Sequence, residues 1–168
     1  MYNGSIKAME FATTVPRDVG LMTPGCYAAS RSFLLGARAA ESGTALQIFL
    51  VIVFGIAGTL ARYGLQGVVQ QRTGSGFPSG TLVVNLLGCF FLGGVGQFAL
   101  NHITVPPEWR VGLTIGFFGA FTTFSTFGWE TVHLLEDGEW LRAGVYVAAS
   151  VIGGIVLLRI GMLLADRV

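Results

Sequence analysis

Charge is scarce in this chain: 11% of its 168 residues are Asp, Glu, Lys or Arg, against roughly 25% in globular proteins. A soluble domain of this size must cover a large surface with polar groups. With 52% hydrophobic residues and a mean hydropathy of +0.68 it cannot, which points to an integral membrane protein. An excess of charge of either sign is missing too. A formal net charge of +1 offers no electrostatic footprint for nucleic acid. Cysteine is limited to Cys26 and Cys89, neither in a CxxC pair nor in a Cys/His cluster, so neither a disulfide framework nor a metal cluster is signalled. The spans and loops contain no P-loop. No acid–base or nucleophile constellation stands out, so an enzyme has no support.

What is abundant is apolar sequence. Four runs follow one another: Leu46 to Val69, Gly80 to Leu100, Val111 to Leu135 and Leu141 to Ala165. A helix needs about 20 residues to cross the hydrocarbon, and each run supplies that. The linkers "QRTGSGFPS", "NHITVPPEW" and "EDGE" carry Gly, Pro and polar residues and read as turns. The expected architecture is an all-α integral membrane protein with four transmembrane helices over 44–168. Residues 1–43 differ, with Lys7, Glu10, Arg17, Asp18, Arg31, Arg38 and Glu41 and no sustained period. They read as a disordered extension, or as sequence ahead of a later start such as Met22. The 25 glycines fit helices that pack closely, since small residues let backbones approach where the hydrophobic effect is absent. Lys and Arg near the span ends show almost no side bias once the extension is set aside. That permits insertion in both orientations and an antiparallel dimer.

Polar groups at membrane depth are costly, and each needs a reason. Asn85, in "GTLVVNLLG", reads either as an interhelical hydrogen bond, worth ~0.6–2 kcal/mol, or as a pore-lining amide whose N–H groups meet an anion. Arg62, late in the first run, reads as a snorkelling or paired side chain or as the lining of an anion vestibule. The segment "GAFTTFSTFGWE", Gly119 to Glu130, interleaves Phe with hydroxyls. Its Thr and Ser side chains can satisfy freed backbone groups, so the third helix is expected to break near the midplane. Such a break is tolerated only where it is buried or lines a cavity, and it presents carbonyls to a cation or N–H groups to an anion. Phe124 and Phe127, at i and i+3, either pack as ordinary apolar residues or turn their positive ring edges toward an anion.

These segments, "TLVVNLLG" and "GFFGAFTTFSTFGWE", closely resemble the Fluc family of fluoride channels, also called CrcB proteins, and the resemblance runs over about Leu46 to Ala165. It implies a dual-topology antiparallel homodimer in the lipid bilayer of the cell's inner or plasma membrane. The dimer would hold two pores that export fluoride passively and selectively and so lower its toxicity. By position, the resemblance implies that Asn85 donates to fluoride and that Phe124 and Phe127 face it edge-on. Thr81, Thr123, Tyr146, Ser150 and Glu130 would form the polar track and its support, with Arg62 in the vestibule. Backbone carbonyls of Gly119 and Thr122 would hold a structural Na+ on the dimer axis. One departure is Gly154, where family members can carry a second Ser one turn beyond Ser150. The alternative function is a small multidrug-type proton-coupled antiporter. Those dimers use a carboxylate in the first span, and the first run here has no Asp or Glu.

Overall fold

In lipid no water pairs with exposed backbone groups, so an apolar run of this length must close its hydrogen bonds internally as a helix. The computed structural model describes residues 24–167 apart from Ser75 and Ile103, with side chains from Gly43 onward. The expected extension over 1–43 therefore lies, but for its last residue, outside the described side chains. Every side-chain contact described below lies within the unit Ser42–Val168. Helix α1 (Pro24–Thr73) is followed by α2 (Ser79–Asn101). The third span comprises α3 (Pro107–Val111), a wider π-helical segment π1 (Gly112–Phe118), the single turn α4 (Gly119–Phe121) and α5 (Phe124–Glu136). The fourth comprises α6 (Trp140–Ala148), a second π segment π2 (Ala149–Gly153) and α7 (Gly154–Ala165). Four stretches are long and apolar enough to cross a membrane: Gly43–Thr73, Ser79–Asn101, Pro107–Glu136 and Trp140–Ala165. The first and third run a few residues past the apolar runs that mark them, while the second and fourth match theirs to within one residue at each end. After α5 the stop is a Schellman motif: Gly138, at φ 76°, donates to Leu135 O at 3.1 Å, and Glu139 N donates to Leu134 O at 2.8 Å.

Small residues decide which helices meet. A Cβ on Gly93 would collide with the Leu158 carbonyl, and one on Gly161 with the Phe90 carbonyl. The two contacts are reciprocal and seat α2 along α7 at backbone distance, the packing available where lipid is as apolar as the side chains. Gly58 plays the same part for α1 against the Phe117 carbonyl of π1. Few side chains are buried. Tyr146, Val84 and Thr81 are fully enclosed, and many large apolar residues face outward, as expected of a surface that meets lipid or another subunit.

Candidate functional site

The third span breaks at Thr122 and Thr123, midway between Pro107 and Glu136. Both residues are extended, at φ/ψ −85°/159° and −147°/116°. The local chemistry explains the position. On the upstream side, Thr122 donates to Phe118 O twice, from its N–H and from its hydroxyl, each at 3.0 Å. Thr123 caps the restarted helix, its Oγ1 accepting from Thr126 N at 3.3 Å and donating to Thr126 Oγ1 at 2.9 Å. A Cβ on Gly88 would collide with the Thr122 methyl, so the glycine is what lets the break lie directly on α2.

Asn85, on α2, spans the break. Its Nδ2 donates to Thr123 O at 3.0 Å and its Oδ1 accepts from Thr123 N at 2.8 Å. The orientation of the amide is forced, because a backbone N–H can only donate and a carbonyl can only accept. Of the two Nδ2–H groups, one is used by Thr123 and one remains. Asn85 thus makes an interhelical hydrogen bond and also lines a groove. The groove is about 240 Å³ and is bounded by Asn85, Thr123, Phe124, Phe127, Ser150 and Cys89, among others. Ser150, in π2, puts a buried hydroxyl there with no hydrogen-bond partner. Phe124 is 82% exposed at the groove's open edge, and its ring lies 5.6 Å from that of Phe127 at 47°. Gly154 is buried, and a Cβ on it would stand 3.3 Å from Cys89 Sγ.

Next to the groove is a buried polar cluster. The Phe127 ring packs 5.1 Å from that of Tyr146, whose hydroxyl donates to Glu130 Oε2 at 2.7 Å. Thr81 Oγ1 donates to Glu130 Oε1 at 2.8 Å. Both carboxylate oxygens are therefore held by hydroxyl donors. Glu130 also borders a second cleft of about 570 Å³, with Tyr63, Gln66, Gln70, Trp129 and His133. Arg62 stands one turn before Gln66, is half-buried, and does not line this cleft. The paired reading of Arg62 finds no carboxylate among the described residues, where the one ion pair joins Arg142 to Glu139 at 3.3 Å.

Two contributors are not visible in the motif reading. Gln66 Nε2 donates to Thr81 Oγ1 at 3.1 Å. Gln70 Nε2 donates to Phe77 O at 3.1 Å, and its Oε1 accepts from Gly80 N at 3.1 Å. Two glutamines at i and i+4 on one helix face are the signal that would have found them.

The carbonyls of Gly119 and Thr122 are released from the helical ladder. Thr123 N, which would close onto Gly119 O, goes to Asn85, and Thr126 N, which would close onto Thr122 O, goes to Thr123 Oγ1. Two freed oxygens beside a break suit a hard cation. Among the described residues no group of three or more His, Cys, Asp or Glu is placed to hold a metal.

Four spans, the third broken near its middle, define a polytopic helical membrane protein. Residues 49–162 match the family model described as CrcB-like protein, Camphor Resistance (CrcB), and the chain belongs to that family. Three similar relatives each carry the name Fluoride-specific ion channel FluC. The one from Geobacter metallireducens is 52% identical over 64% of this chain and 86% of its own length. That from Geotalea uraniireducens is 46% identical over 70% and 95%. That from Chlorobaculum tepidum is 48% identical over 70% and 93%.

Proposed function

We propose that this chain is a fluoride-specific channel that lets the anion leave the cytoplasm passively, residues 44–168 forming the channel domain. The observation that carries it is the convergence on one groove of a free Asn85 N–H, an unpartnered Ser150 hydroxyl and the Phe124–Phe127 pair. Fluoride is small and strongly hydrated. A path that removes its water must supply donors without fixed positive charge, because a cation would hold the ion too tightly for exit. The amide and hydroxyl do this, and the ring edges extend the path with weak positive potential. Thr123 keeps the restarted helix in register, Tyr146 and Thr81 hold Glu130, and Arg62 supplies positive potential toward the entrance. An inside-negative membrane drives anions outward at ~2.3 kcal/mol per charge per 100 mV, so no energy source is required.

The groove is open on the side where Phe124 stands exposed, which supports a dual-topology antiparallel homodimer whose second subunit closes it. In that dimer Gly119 and Thr122 of each subunit would hold a structural Na+ on the axis. The ion would supply a positive centre that joins the two breaks. An antiporter reading gains nothing here, since the first span carries no carboxylate. The test is ion efflux from liposomes holding purified protein. Fluoride should leave rapidly without a pH gradient while chloride stays behind, and equal passage of both would sink the proposal.

A further inference from the structure

We infer that Gln66 is a positioning residue that aims the Thr81 hydroxyl at Glu130 and so keeps a carboxylate from standing free at an anion's entrance. This rests on the fluoride-channel reading above. Four helices meet in the chain Gln66 (α1) to Thr81 (α2) to Glu130 (α5), with Tyr146 (α6) on the far oxygen. Thr81 is 1% exposed, so no solvent offers its hydroxyl another partner. A hydroxyl has one proton to give. Gln66 approaches with its Nε2, which can only donate, so the Thr81 proton has no use in that direction and goes to Glu130. Turned the other way, the amide would present an acceptor and draw that proton off the carboxylate. Donation from Gln66 also polarises the hydroxyl and strengthens its bond to Glu130.

The backbone is arranged for this contact. A Cβ on Gly80 would collide with the Gln66 carbonyl, so glycine there allows α1 close enough for the side chain to reach the next residue, Thr81. One turn along, Gln70 holds the Gly80 N–H at 3.1 Å and fixes the first turn of α2. Gln66 and Glu130 both border the 570 Å³ cleft. A carboxylate released into that space would repel the ion the cleft admits. Held by two hydroxyls, it stays at the cleft's back wall.

The experiment is a double-mutant cycle on the full chain in liposomes, read by fluoride efflux and by the infrared carboxylate band of Glu130, assigned through its loss in Glu130→Gln. Gln66→Met should slow efflux about fivefold, the ratio that one hydrogen bond of ordinary strength gives. The same ratio is expected in a Thr81→Ser background, which keeps the hydroxyl. In Thr81→Val it should add nothing. The Glu130 band should shift in Gln66→Met and stay put when the same change is made in Thr81→Val. Multiplying effects of Gln66→Met and Thr81→Val, or a Glu130 band unmoved by Gln66→Met alone, would overturn the assignment. Gln66→Leu replaces Gln66→Met if the latter does not fold. Absence of fluoride flux in the wild type would defeat the channel reading alone, because the infrared cycle still decides the role of Gln66.

Discussion

Replacing Asn85 by Asp exchanges one N–H donor pair for an oxygen at almost constant shape. Oδ1 can still accept from Thr123 N at 2.8 Å, but the atom facing Thr123 O at 3.0 Å becomes an acceptor and the carbonyl loses its donor. Thr123 is 7% exposed, so water does not readily take over. Leaving a buried acceptor unpaired costs about 1–3 kcal/mol. The larger effect falls on the anion. A unit negative charge about 4 Å from fluoride, at an effective dielectric constant of about 20, opposes it by about 4 kcal/mol, which is about a thousandfold in occupancy. Fluoride efflux from liposomes should therefore fall by about three orders of magnitude, while thermal unfolding in detergent shows only the modest loss. Flux within about tenfold of wild type, in protein of normal folded yield, would refute the reasoning and leave Asn85 as a structural clamp.

Other substitutions separate conduction from packing. Ser150→Ala removes a hydroxyl that holds no hydrogen bond, so stability should stay within about 0.5 kcal/mol while fluoride efflux falls about tenfold; unchanged flux would remove Ser150 from the path. Phe124→Ile and Phe127→Ile should each slow fluoride efflux without changing the size-exclusion profile, and normal rates in both would eliminate the ring-edge role. Gly93→Leu drives a side chain into the Leu158 carbonyl and should destabilise by about 3 kcal/mol or prevent folding, checked by thermal melting of the purified protein.

Much of the fold was legible because lipid leaves few options. Four apolar runs with turn-like linkers can only be four helices, and the hydroxyl-rich segment after Gly116 and Gly119 marked where the third would break. The groove's lining was legible where one residue carries its own chemistry, as with the amide of Asn85 or the rings of Phe124 and Phe127. It was not legible where function depends on partners far apart in sequence. Nothing local says that Asn85 takes both backbone groups of Thr123, 38 positions away, or that Gln66 meets Thr81. The π segments were also invisible, since such wider turns are rare within α-helices and no residue pattern in the sequence reading marks them.

The sequence by itself determined the solvent, the number of spans, the breaking segment and the family. Its hydropathy admits only helices in lipid, and its Phe/Thr pattern is specific. Tertiary structure alone decided which donors are spent and which remain. Asn85 keeps one N–H because the break consumes the other, Ser150 keeps its hydroxyl because nothing packed around it accepts, and Glu130 keeps neither oxygen free because Thr81 and Tyr146 reach it from two other helices. A donor's availability is a property of its neighbours, and those are set by where glycines let the helices touch.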